Sequence, residues 1–197
     1  MNAVPNQTVI EDDGCPWYAV RLFSLKQQEV ANAFQEKGIQ YFIPMQYVDY
    51  LDKDGKRRRK LAPVVHNLLF VRKSVEQKVM RQIVADIPYK MMVMRKINSN
   101  DFCEIPSKQM YDFYVMCNPD LLINKYMSEE EAKLKKGTRV LVTNGPLKGL
   151  TGKLVRQSRK YYLLKEVPGM AVMIKVTRWC CKPMEEEKND PRREVRG

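Results

Sequence analysis

The residues able to do covalent or metal chemistry are few. His66 is the one histidine among 197 residues, and the five cysteines (Cys15, Cys103, Cys117, Cys180 and Cys181) are odd in number and contain no Cys-x-x-Cys spacing. A zinc site needs clustered thiolate or imidazole ligands, and a disulfide framework needs an even cysteine set; neither pattern is present. Such cysteine usage suits a reducing compartment. A Cys–His nucleophilic pair is the one catalytic arrangement worth naming, and nothing in the spacing sets a thiol beside His66. The expectation is a non-enzymatic protein with no metal and no cofactor, whose chemistry is binding.

Binding chemistry is carried first by charge. There are 35 Lys and Arg against 23 Asp and Glu, a formal net charge of +12. That excess suits DNA or RNA, an acidic protein or a membrane surface. With 44% hydrophobic and 29% charged residues the balance is that of a folded chain. No apolar run reaches the roughly 18 residues a membrane span needs, and the start MNAVPNQTVIEDDG lacks the basic and apolar stretches of a signal peptide. These features predict a soluble, cytoplasmic protein.

The charge is unevenly spread. Residues 1–118 hold 17 bases and 13 acids, net +4, and residues 119–136 hold four of each. Residues 137–183 hold ten bases against the single acid Glu166, net +9. The tail from Met184 has five acids and four bases and reads as disordered. The expected organisation is a first domain over 15–118, a linker over 119–136, a second domain over 137–183 and a tail over 184–197. Within the linker, Ser128-Glu129-Glu130-Glu131 reads as a helix start or a solvated stretch.

The elements that must position the binding groups follow from hydrophobic pattern and turn chemistry. Trp17 to Ser24 reads as a strand, and Gln27 to Lys37 as a helix with Val30, Ala31, Ala33 and Phe34 at helical spacing and Gly38 as its stop. Ile39 to Leu51 is strand-like but carries Pro44, and Asp54-Gly55 signals a hairpin turn. The returning strand begins in Lys56 to Lys60 and continues through Pro63 to Lys73. Ser74 is the expected cap of a second helix with Val75, Val79, Ile83 and Val84 on one face and Pro88 at its end. Tyr89 to Ile97 closes a β-α-β-β-α-β order, the arrangement of ferredoxin-like folds. Pro106 and Ser107 then open a short helix with Met110, Tyr111, Phe113, Tyr114 and Met116 on a broad apolar side. In the last region, strands over Arg139–Thr143, Gly152–Arg156, Tyr161–Lys165 and Ala171–Val176, set between Gly and Pro turns, suggest a small β-barrel. The fold class expected is α+β.

A basic ferredoxin-like domain invites comparison with RNA-recognition domains, whose third strand carries aromatics for stacking bases. Here that strand reads VVHNLLFVR, with one aromatic, Phe70, and no glycine. A different resemblance fits. WYAVRLFS at 17–24 resembles the opening strand of the NusG N-terminal (NGN) domain. PVVHNLLFV at 63–71 resembles the strand that family writes as Phe-Phe-Pro-Gly-Tyr-Val-Leu-Val. GTRVLVTNGPLKGLTGKLVR at 137–156 resembles its KOW motif, with Gly145-Pro146, Gly149 and Gly152 in their usual places. Within the family, the His66-Asn67-Leu68 version is most similar to the UpxY-type specialised paralogues, antiterminators of capsular polysaccharide operons.

The resemblance implies an NGN domain followed by an SH3-like KOW barrel, and a monomeric factor that binds the clamp helices of RNA polymerase and suppresses pausing and termination. The positions matching the family's polymerase-binding hollow are Arg21, Val65, Phe70, Met92, Met110 and Phe113. On pattern alone Phe70, Met92, Met110 and Phe113 read better as the domain's own core, and the resemblance adds the shared role. Lys26, Arg81 and Lys90 match segments that touch non-template DNA, with Asp86 opposing a phosphate there. The run Lys56-Arg57-Arg58-Arg59-Lys60 is either a solvated hairpin tip or a direct contact to polymerase and upstream DNA. In the barrel, Val167, Met170 and Val172 match the surface that binds a small-subunit ribosomal protein or Rho, with Pro168 replacing the housekeeping aromatic. The alternative class is an RNA-binding or ribosome-associated protein acting through the basic barrel, which would also hold nascent RNA.

Overall fold

The computed structural model describes residues 9–120 and 124–184. It is a mixed α/β structure with four α-helices and antiparallel sheets among the described residues. The opening run Trp17-Tyr18-Ala19-Val20 has no polar position, and a strand apolar on both sides must be covered on both. Accordingly β1 (Trp17–Leu22) sits inside a sheet. It pairs with β5 (Leu68–Arg72), Ala19 opposite Phe70, and on its other side with β6 (Met91–Val93) and β7 (Glu104–Ile105). The short β2 (Tyr41–Phe42) pairs with β5 at the outer edge, so the order is β2-β5-β1-β6.

The two faces of this sheet are closed differently. Tyr18, Val20, Leu22, Leu69 and Val71 point to one side and pack with Val30, Ala31 and Phe34 of α1 (Gln27–Glu36) and Met80 of α2 (Gln77–Asp86). Trp17, Ala19, Leu68 and Phe70 point to the other and pack with Met110, Phe113 and Met116 of α3 (Ser107–Met116).

Several elements depart from the sequence reading. Pro44 divides the expected long strand into β2 and β3 (Met45–Leu51), because proline cannot donate to a ladder. Ser74 does not cap α2: the helix starts at Gln77, whose Oε1 instead accepts the Phe102 amide at 2.9 Å. With that start the inward face runs through Met80 and Ile87, and Val79 is exposed. The expected strand Tyr89–Ile97 shortens to Met91–Val93, since Asn98 takes a left-handed backbone conformation (φ 57°) in a turn closed by the Arg95–Phe102 bridge.

β3 and β4 (Arg57–Pro63) form a separate two-stranded hairpin, turned where Asp52 Oδ1 accepts the Asp54 and Lys56 amides at 3.0 and 2.9 Å and Gly55 takes φ 72°. The second sheet has six strands: β8 (Asn124–Met127), β9 (Thr138–Val142), β10 (Thr151–Gln157), β11 (Lys160–Val167), β12 (Met170–Val176) and β13 (Cys181–Pro183), in the order β13-β9-β10-β11-β12-β8. The stretch expected to be a linker is therefore partly structural. β8 pairs with β12, and α4 (Glu129–Leu134) opens with a capping box in which Ser128 Oγ accepts the Glu131 amide and Glu131 Oε2 accepts the Ser128 amide, each at 3.1 Å. Residues 185–197, most of the tail read as disordered, lie outside the described residues. No described helix is long and apolar enough to cross a membrane.

Candidate partner-binding surfaces

α3 also meets the second sheet through β11 and β12, and the two regions share one hydrophobic cluster. Phe70, Met110, Phe113 and Met116 lie in it together with Leu163, Val167, Met170 and Val172. Phe70 and Phe113 meet edge to face with ring centres 5.5 Å apart, and Phe42 contacts Phe113 at 6.5 Å and Tyr114 at 5.3 Å. Gly169 (φ 91°) lets the turn between β11 and β12 come down on the first sheet; a Cβ there would lie 3.1 Å from Leu68.

This places the expected polymerase-binding residues in three environments. Phe70, Met110 and Phe113 are fully buried and come together; Val65 is half-buried at the rim of the same cluster. Arg21 and Met92 sit opposite each other on β1 and β6, both exposed. The open hollow anticipated from sequence is thus covered in this arrangement. The cover includes Val167, Met170 and Val172, the three residues expected to serve a second partner, all of them buried. The physical reason is mutual: two apolar surfaces on one chain gain by burying each other.

Polar groups fix this contact. Asp112 of α3 is 0% exposed, yet both carboxylate oxygens are satisfied. Oδ1 accepts Lys108 Nζ at 2.7 Å; Oδ2 accepts Lys165 Nζ at 2.8 Å, Thr151 Oγ1 at 2.6 Å and the Thr151 amide at 3.2 Å. Burial pushes the Asp112 carboxyl up, but hydrogen bonds from Lys108, Lys165 and Thr151 outweigh it and hold the group below the usual carboxylate range. Burial lowers Lys165, with Asp112 opposing the shift and Lys108 and Arg139 adding to it. Gln109 Nε2 donates to Glu166 O at 2.7 Å and Lys108 Nζ to Gly149 O at 3.1 Å, two further ties between α3 and the second sheet. Nothing in the sequence marks Asp112 as buried, because a helical Asp between apolar neighbours reads as one more exposed position.

The expected nucleic-acid contacts are scattered. Lys26 is paired with Glu29 at 3.0 Å at the start of α1. Arg81 lies over the Phe102 ring at 5.3 Å and donates to the Asn100 carbonyl, and Lys90 lies over Phe23 at 5.6 Å. The basic run occupies the β3–β4 turn and strand, with Arg58 on Asp52 (2.9 Å) and Arg59 on Asp49 (3.6 Å). Two tyrosines that the sequence reading passed over belong to this site: Arg59 stacks on Tyr47 and Lys60 on Tyr50, both at 5.2 Å. Their alternation along β3 puts one cation–aromatic pair on each hairpin face.

Two of the five thiols are shifted by burial. Cys117 is buried and burial pushes its thiol well up, the opposite of a reactive thiolate; Cys181 is raised for the same reason. His66 is exposed on the turn before β5. Among the described residues no group of three or more His, Cys, Asp or Glu is arranged to hold a metal.

The structure is thus a sheet closed on one side by its own helices and on the other by an aromatic-rich helix, followed by a basic antiparallel sheet. Residues 16–114, half of the chain, match the family model described as "Transcription termination factor nusG", and the chain belongs to the NusG family. Among solved structures it is similar to a chain of the crystal structure of the MjSpt4:Spt5 complex, conformation A, at 12% identity and a TM-score of 0.23, over 86% of this chain and 99% of that one. No curated protein matches its sequence.

Proposed function

We propose that this protein is a non-enzymatic, cytoplasmic transcription elongation and antitermination factor that binds the clamp helices of RNA polymerase and suppresses pausing and termination. In this reading residues 15–118 are a ferredoxin-like NGN domain and residues 124–183, β8 and α4 included, are an SH3-like KOW barrel. The strand order β2-β5-β1-β6 with two helices on one face supports the first assignment, and the glycine-punctuated β9–β10 segment supports the second. The HNLLFV strand favours a UpxY-type paralogue that acts at particular operons, capsular polysaccharide clusters among them.

One observation carries the reading: the Phe70–Phe113 face of the NusG-family region is closed by α3 and the second sheet, not by α1 and α2. A helical hairpin of polymerase takes the second sheet's place when the two regions separate. Separation frees Val167, Met170 and Val172 for a second partner, a small-subunit ribosomal protein or Rho, and the exposed Arg21 and Met92 extend the polymerase surface. Lys26, Arg81 and Lys90 supply contacts to non-template DNA and the Lys56–Lys60 hairpin contacts polymerase and upstream DNA, positioning without selecting sequence.

The test uses residues that can change without emptying the core. Met92→Asp and Arg21→Glu are expected to lower retention of RNA polymerase in a pull-down, while leaving the thermal unfolding transition in place. Folded variants that hold polymerase as the wild type does would remove the clamp assignment. In vitro transcription on templates with and without candidate leader sequences then checks operon choice.

A further inference from the structure

The outer end of the second sheet carries a basic aromatic outcrop that the reading above leaves unused. Arg156 on β10 lies directly opposite Tyr161 on β11. Its guanidinium carbon is 5.8 Å from the Tyr161 ring centre, and that of Arg178, from the turn after β12, is 5.9 Å from the same ring. Next to Arg178 stands Trp179, 76% exposed, whereas the other tryptophan, Trp17, is 2% exposed. An indole left in water forfeits the burial that aromatic side chains ordinarily gain, so its exposure points to an absent partner.

The electrostatics agree. Among the described residues Arg156, Arg159, Lys160 and Arg178 have no ion-pair partner; the one acid of residues 137–183, Glu166, is taken by Lys153 at 2.7 Å. The β10–β11 turn places Ser158 and Arg159 in left-handed conformations (φ 49° and 61°), where Asn-Gly would sit with less strain. The strained turn holds a cation at the tip of the outcrop.

We propose that Tyr161, Trp179, Arg156 and Arg178, with Arg159 and Lys160 beside them, form a binding platform for single-stranded RNA. Flat guanidinium and aromatic groups stack on unpaired bases and the cations follow the phosphates, whereas a duplex keeps its base faces buried. The choice of RNA over DNA rests on the reading of the chain as a transcription factor, since the transcript is the strand such a factor meets single-stranded at length. The platform lies at the opposite ends of β10 and β11 from Thr151 and Lys165, so it is open while Asp112 still ties the two regions together. RNA binding therefore needs neither polymerase nor separation.

The experiment titrates the purified full chain with a 12-nucleotide oligo(U), following tryptophan fluorescence and, with a labelled oligonucleotide, anisotropy. Saturable quenching of the exposed indole is expected. Trp179→Ala should weaken binding about tenfold, the loss of one stacked base. Joint Arg156→Ala and Arg178→Ala should weaken it further and reduce the slope of log K against log salt by about 1.4. Both variants lie on the surface, and an unchanged unfolding transition confirms their fold. Several results would overturn the platform: no quenching; wild-type affinity in these variants with loss on changing Lys56–Lys60 to Ser; equal or tighter hold on oligo(dT) or duplex RNA; or quenching by poly-glutamate in place of RNA, which marks a site for an acidic protein. Polymerase retention measured on the same variants keeps the two readings apart, because they should bind polymerase as the wild type does.

Discussion

The two faces of the first sheet are made from equally apolar strands and are closed in different ways. On one, Phe34 and Met80 come from helices that the chain lays down between the strands themselves, so strands and cover fold as one unit. On the other, Phe70 and Phe113 are covered by residues from the C-terminal sheet, among them Val167, Met170 and Val172, more than fifty positions further along. Among the described residues the first face has no charged side chain in its core, while at the second Asp112 is buried beside Lys165. A buried ion pair is a poor way to gain stability and an effective way to fix one arrangement, since both partners return to water when the contact opens. Under the proposed function, the helix face is the permanent one and the α3 face the exchangeable one.

Substitutions can break that distinction, and the largest effects test the permanent face. Phe34→Ala should cost about 3–5 kcal/mol and lower the main unfolding transition of the whole first region, read by denaturant melts. An equally large loss confined to contact between the regions would reverse the comparison. Next, Asp112→Ala leaves Lys165 unpaired and should cost about 3 kcal/mol, expressed as separation of the two sheets, with the first sheet's own melt nearly intact. Hydrogen exchange at Val167–Val172 would report it. Acid tests the same group. Because the folded-state pKa of Asp112 is depressed, its contribution is fully present above the unfolded value near 3.9 and is lost as pH falls through the lower folded value. The wild type should therefore stay closed to below about pH 3.9, and Asp112→Asn should lose this dependence. Ser128→Ala, which removes one half of the α4 capping box, should cost about 1 kcal/mol and loosen α4 against β11 and β12 only.

The permanent face was legible because its periods are local. Val30, Ala31 and Phe34 repeat at helical spacing within one segment, and WYAVRL announces a doubly buried strand. The exchangeable face was half legible. Met110 and Phe113 stood out as apolar, but whether solvent, a partner or the chain's own second sheet covers them is a tertiary fact that no single segment records. β8 was missed because Asn124-Lys125-Tyr126-Met127 is too short and polar to read as a strand until β12 lies beside it. Tyr161 and Trp179 were missed because eighteen residues separate them and only the return of β12 brings Arg178 over the Tyr161 ring. The resemblance at 17–24 and 63–71 agrees with the family match over residues 16–114, and the partners it implies belong to the proposed function.

The smallest stability effect should come from the β3–β4 hairpin, and it sharpens the comparison from outside both faces. Its strands are largely exposed, and Asp49 and Asp52 already offset two of its five consecutive bases. Changing Lys56–Lys60 to Ser should therefore move stability by less than about 0.5 kcal/mol, as exposed substitutions do. Function is expected to respond differently. If the hairpin contacts nucleic acid or polymerase, readthrough should fall, and the deficit should change with salt, because the lost contacts are ionic. Unchanged readthrough at low salt would make the run a solvated tip. A deficit without any salt dependence would instead point to Tyr47 and Tyr50, whose rings lose their stacked cations in the same variant.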